Sequence, residues 1–243
     1  MQISKTILAA LAFAATFTFV SCNSEDEIPG TSEGTLGFAF VLNNGNTGEA
    51  NTRTVNSNLT IENGFIQIKE LELEVKGRNE QGSFEKEIEI KFQNIRKVTF
   101  NDFDESADFF ITIQAGEYKE IELELDLIDH RNEPSIYIEG TYVSQGGATI
   151  PVVFEYYGDD IDFEVEIEAK DGGYFTIDAM NNPLALFEIK AVNWFRGVSD
   201  SEFENATLTN GVMLIQRDRN REIYSRVTRN IKEFSDIEIE LRR

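Results

Sequence analysis

"KEIELELDL", residues 119–127, is written in strict alternation. Ile121, Leu123, Leu125 and Leu127 occupy one parity, and Glu120, Glu122, Glu124 and Asp126 the other. Successive side chains of a strand point to opposite faces. The stretch therefore predicts a half-buried β-strand with one apolar and one wet face.

The same period recurs outward in both directions. Leu36, Phe38, Phe40 and Leu42 alternate, as do Phe84, Ile88, Ile90 and Phe92, broken by Lys86. Ile150, Val152, Phe154 and Tyr156 follow, then Ile161, Phe163, Val165 and Ile167. Gly146-Gly147, Asp171-Gly172-Gly173 and Gly116 lie between such runs, where hairpins need residues that tolerate positive φ. Between Phe65 and Val75 the apolar parity switches: Ile66 and Ile68 are even, Leu71, Leu73 and Val75 odd. A strand cannot do that without exchanging faces, so a β-bulge or a sheet crossing is expected near Lys69-Glu70. Ile223, Val227, Ile231 and Phe234 keep helical spacing, with Asp218 or Asn220 available to cap the start. Ile237, Ile239 and Leu241 then alternate as a last strand. The expected fold is all-β: an antiparallel β-sandwich with one short C-terminal helix followed by a terminal strand.

The chain has 243 residues with 22 basic and 44 acidic side chains, net −22. Such a field opposes binding to nucleic acid or anionic head groups. Residues 217–243 are the exception, with eight Lys/Arg against six Asp/Glu. The acids are ordered in stripes: Glu70/72/74, Glu85/87/89, Glu120/122/124 and Asp162/Glu164/166/168. Like charges directly opposed destabilise a sheet. Either these strands neighbour neutral or basic ones, or cations sit between them; the plain alternative is a solvated face that resists edge aggregation. For calcium, which takes six to eight oxygens, Asp102, Asp104 and Asp108 in "NDFDESAD" (101–108) are the candidate ligands. They lack the glycine and spacing of an EF-hand.

Catalytic patterns are scarce. His130 is the only histidine, whereas triads need a histidine base and zinc sites several His/Cys ligands. HExxH, P-loop and GxGxxG patterns are missing from the sequence. Among so many acids, carboxylate pairs at glycosidase spacing arise by chance and decide nothing. No catalytic residue or cofactor other than calcium is expected. Trp194-Phe195 could offer a sugar-stacking platform, but beside alternating Leu184/Leu186 and Phe187/Ile189 it is better read as a core anchor.

The N-terminus addresses location. Lys5 precedes an apolar run from Ile7 to Val20. Fourteen helical residues rise about 21 Å, short of a hydrocarbon core of about 30 Å, as in a secretory signal. Phe19-Val20-Ser21-Cys22 resembles a bacterial lipobox. That resemblance implies cleavage between Ser21 and Cys22 and acylation of the Cys22 thiol, the only one in the chain. Glu25, Asp26 and Glu27 look like the acidic surface-export tag of Bacteroidota lipoproteins. The expected organisation is a lipoprotein signal peptide over 1–21, an acylated flexible tether over 22–34 and a β-sandwich domain over 35–243, with 130–135 the place where a second subdomain could begin. The expected location is the outer membrane, lipid-anchored and facing the exterior.

"ITIQAGEYKEIELEL" (111–125), "VNWFRGVSD" (192–200) and "IYSRVTRNIKE" (223–233) resemble uncharacterised lipoproteins of Bacteroidota, a family classed as a domain of unknown function. The resemblance spans the chain from about Phe65 to the C-terminus. It implies a β-sandwich and brings no ligand or catalytic residue with it. Location and fold together suggest a non-catalytic module that binds a glycan or a protein. The alternative is a subunit resembling the lipoprotein-derived pilins of Bacteroidota, cut at Arg53 in "ANTRTVNS" and joined by strand exchange through the tail from Ile237.

Overall fold

The computed structural model describes residues 32–43, 56–101, 107–129, 132–234 and 237–242. Its elements in chain order are β1 (Glu33–Leu42), β2 (Leu59–Asn79), β3 (Gly82–Asn101), β4 (Phe109–Gln114), β5 (Gly116–Leu127), β6 (Ile136–Val143), β7 (Thr149–Tyr156), β8 (Asp162–Glu168), β9 (Phe175–Ile177), β10 (Leu184–Ile189), α1 (Ala191–Trp194), α2 (Asp200–Glu204), β11 (Met213–Ile215), α3 (Arg221–Phe234) and β12 (Ile237–Arg242).

The 21-residue β2 organises the larger sheet. β3 pairs along one of its edges from Asn63 to Asn79. On the opposite edge β6 takes Leu59–Ile66 and β5 takes Ile68–Arg78. β7 and β11 extend the β6 end, and β8 and β9 pair with β5. The register shifts between Ile68 and Glu70 against both partners, where the apolar parity switches. Buried positions change accordingly from Ile66 and Ile68 to Leu71, Leu73 and Val75. A second shift, between Ile61 and Asn63 against β6, leaves only Leu59 and Ile61 as a trace in the sequence.

The smaller sheet has the order β12-β10-β1-β4. Leu36, Phe38 and Phe40 of β1 and Phe187 of β10 point between the sheets, with the rings of Phe40 and Phe187 stacked 4.4 Å apart. The two sheets enclose one apolar core. The β-sandwich expectation holds, with two refinements. β1 runs parallel to β10, and β11 parallel to β7, so the sheets are mixed. Gly116 does not close a hairpin: β4 lies in the smaller sheet and β5 in the larger.

Three α-helices are present among the described residues where one was expected. α2 begins with a capping box, in which Ser199 accepts from Glu202 N–H and Glu202 returns a bond to the Ser199 N–H. This Ser-x-x-Glu signal was legible at 199–202. α3 forms where the apolar spacing placed it, burying Ile223, Val227 and Ile231. Asn220 is not its side-chain cap: its amide instead donates to the carbonyls of Thr207 and Leu214. Aromatic contacts tie the helices to β6 and β7, joining Tyr142 to Phe203 and Phe154 to Phe195 and Tyr224. Trp194 and Phe195 are fully buried, Trp194 stacking on Phe163. They are core anchors and offer no stacking platform.

Candidate functional site

The acidic stripes converge. In the strand order β3-β2-β5-β8 the registers stack four rows of outward-facing side chains. The rows read Lys91-Glu70-Asp126-Asp162, Glu89-Glu72-Glu124-Glu164, Glu87-Glu74-Glu122-Glu166 and Glu85-Lys76-Glu120-Glu168. Fourteen of these sixteen positions are carboxylates and two are lysines. Of the alternatives open from sequence, neutral or basic neighbours for the acidic strands are ruled out by these registers. The reason lies on the other face. Leu71, Leu73, Val75, Ile121, Leu123, Leu125 and Phe163 are all buried beneath the acids. Each contributes roughly 1.5–3 kcal/mol by burial, against roughly 0.2–1 kcal/mol for an opposed like-charge pair.

The two central rows, apart from Glu89, line a surface depression of about 480 Å³. The lysines hold its two ends. Lys76 contacts Glu120 at 2.6 Å, Glu74 at 3.2 Å and Glu122 at 3.5 Å. Lys91 lies 3.3 Å from Glu70 and also pairs with Glu89. Between these ends the row Glu89-Glu72-Glu124-Glu164 meets a lysine only at Glu89. Burial, and then the charge of Asp162, pushes the Glu124 carboxyl above its usual range. Burial, and then Asp126, does the same to Asp162, and burial with Glu168 does so to Glu166. Glu70 is raised by its hydrogen bond to Glu89 and by burial. Glu120, by contrast, is lowered by the Lys76 ammonium.

Three carboxylate triads bring ligand atoms within 4.8 Å of one another: Glu70/Glu72/Asp126, Glu120/Glu166/Glu168 and Glu124/Asp126/Asp162. Each supplies one oxygen per residue, three of the six to eight that calcium takes. Side chains on a flat sheet cannot wrap a cation as a loop does. The face suits diffuse attraction of positive charge better than a closed coordination sphere.

The loop proposed from sequence for calcium is only partly described. Asp102 and Asp104 lie outside the described residues. Asp108 is exposed, and its Oδ2 accepts the Phe40 N–H at 3.0 Å, tying the start of β4 to β1. Ser21, Cys22, Glu25, Asp26, Glu27, Arg53 and His130 also lie outside the described residues. Among those described, no helix is long and apolar enough to cross a membrane. The stripes were visible strand by strand in the sequence. Their convergence needed the strand order, which no local pattern contains.

No protein-family model, curated protein or solved structure matches the chain.

Proposed function

We propose that the protein is a non-catalytic binding module, held on the outer membrane by acylation of Cys22, that engages a Lys/Arg-rich protein segment through its carboxylate face. The observation that carries this reading is the in-register pairing of four acidic strands. Opposed carboxylates raise the free energy of the unbound face, and a positively charged partner would relieve that repulsion. Electrostatic complementarity of this kind acts mainly on association rate and selectivity. Anionic glycans would be repelled. Within this proposal Glu25, Asp26 and Glu27 direct export to the cell exterior, and the kinship with Bacteroidota lipoproteins rests on the three quoted stretches.

Titration of a lysine-rich peptide into the protein at two salt concentrations tests the face. Binding should weaken steeply with salt and fall at least tenfold when Glu72, Glu124 and Glu164 are all changed to Gln. Equal binding by that variant would refute the assignment. The anchor is tested separately, by labelling with a palmitate analogue. Label that persists on Cys22→Ala would remove the lipoprotein reading and leave the face untouched.

A second reading, assembly by strand exchange, is favoured by the position of β1. It lies between β10 and β4, bonded along both edges, with Leu36, Phe38, Phe40 and Leu42 in the core. Its release after cleavage at Arg53 would open a groove in the sheet that also holds β12. SDS-resistant ladders formed after cutting with an Arg-specific protease, and absent after truncation before Ile237, would favour this reading over the first.

A further inference from the structure

We propose that β4 is a pairing edge through which two copies of the chain join into one closed dimer with a continuous sheet. The backbone register identifies the groups involved. Ala115 N–H donates to the Ser32 carbonyl at 2.7 Å, which makes Phe109, Ile111 and Ile113 the β4 residues whose backbone faces β1. The N–H and C=O groups of Phe110 and Thr112, and the N–H of Gln114, point away from the sheet. No described strand pairs with them. The Gln114 carbonyl already accepts the Tyr118 hydroxyl.

Unpaired edges template association, and proteins blunt them with charge, proline or short length. The other sheet edges among the described residues are blunted. β3 carries Glu85, Lys86, Glu87, Glu89 and Lys91, and β8 carries four acids. β12 carries Glu238, Glu240 and Arg242, and β9 and β11 have three residues each. β4, "FFITIQ", is six residues long with no charge, proline or glycine. Phe110 is 62% exposed, and Thr112 is exposed two residues along the same face.

The occupant that fits is the β4 of a second copy. Antiparallel pairing about a two-fold axis at Thr112 sets Thr112 opposite Thr112, Phe110 opposite Gln114 and Ile111 opposite Ile113. The outward-facing residues then form the hydrogen-bonded pairs, the isologous contact closes on itself, and no charged residue of β4 opposes a like charge; the Lys86 ammonium of β3 donates to Gln114 Oε1 at 2.6 Å near each end of the contact. Two chains of net −22 repel each other. Their contact belongs where the edge is uncharged, and pairing through β3 or β8 would oppose like charges instead.

Sedimentation of the whole chain over a concentration series, with amide hydrogen exchange, tests this. A dimer is expected, with exchange at Phe110, Thr112 and Gln114 slowing as concentration rises. Thr112→Lys would place two ammonium groups face to face and should weaken association at least tenfold. A chain that stays monomeric with unchanged exchange at these amides overturns the proposal, whatever the variant does. So does dimerisation undiminished in a folded Thr112→Lys chain, or growth of open-ended polymers in place of a dimer.

Discussion

The two halves of β2 share a strand, a partner in β3 and an apolar inner face, yet their outer faces differ in kind. Beyond Lys69 the outer face is the carboxylate array. Before it, Phe65 stacks on Tyr137 with centroids 5.0 Å apart, and Lys97 Nζ sits 3.7 Å over the Phe65 ring. There Glu139 accepts from Asn63 at 2.5 Å and from the Tyr137 hydroxyl at 2.8 Å. Polar and aromatic groups of the first half satisfy one another. Those of the second half repel one another and are held together from beneath. A face that is internally satisfied gains little from a partner, whereas a frustrated face gains from any cation that approaches.

The largest expected effect tests what is shared. Ile66 lies beneath the aromatic half and Leu73 beneath the acidic one, both fully buried. Ile66→Ala and Leu73→Ala should each cost about 2–5 kcal/mol in denaturant unfolding. A loss below about 1 kcal/mol for Leu73→Ala would mean that the inner face does not hold the acids in register.

The next effect separates the halves by sign. Glu72→Gln, Glu124→Gln and Glu164→Gln combined relieve three opposed pairs and should stabilise by about 1–2 kcal/mol. Glu139→Gln weakens charge-assisted bonds and should destabilise by about 0.5–1.5 kcal/mol. Equal signs in thermal melts would erase the distinction between the two faces.

A smaller effect is read in pH. Glu124, Asp162 and Glu166 are raised above their ordinary values of 4.5, 3.8 and 4.5. A carboxyl raised by folding binds its proton more tightly folded than unfolded. Its contribution is present below the unfolded value and lost as pH rises through the folded one. Stability should therefore rise as pH falls from neutrality toward those ordinary values. Asp178 and Asp200 act oppositely. Asp178 is lowered by the N–H groups of Met180 and Asn181, and Asp200 by the side chains of Asn56 and Asn58. Their contribution is lost in more acid solution. In a Glu124→Gln, Asp162→Asn, Glu166→Gln variant the acid-side rise should shrink to the share of Glu70, also raised, while the loss at lower pH remains.

The smallest effect sharpens the other half. Lys97→Ala should cost about 0.5–1 kcal/mol through its contact with Phe65, with little dependence on salt. A strong salt dependence would show that the long-range field of the acids reaches it.

Much of this was legible before the structure. Ile121 to Leu127, Ile161 to Ile167 and Leu36 to Leu42 announced strands because alternation records which side of a chain is buried, and that is a local property. The parity change at Lys69 announced a bulge for the same reason, and Ile223, Val227 and Ile231 announced α3. The capping box at Ser199 opens a helix of five residues, too short to carry an apolar period. The candidate site was half legible: each acidic stripe was plain, but which strands face one another is set by pairing, and the rule that like charges avoid each other left several arrangements open.

The sequence by itself determined the periodicity of each strand, the inner and outer residue of each pair, the helix after Asn220 and a large acidic excess. Only the tertiary structure decided that β2, β3, β5 and β8 lie side by side, that β1 runs parallel to β10, and that β4 ends the smaller sheet among the described residues. Outside the β2–β3 hairpin, neighbours in these pairings lie far apart in the chain, as with Phe38 and Ala185. They are chosen by the summed burial of inner faces. That sum, at roughly 1.5–3 kcal/mol per buried side chain, exceeds the outer-face repulsion that any one stripe reveals.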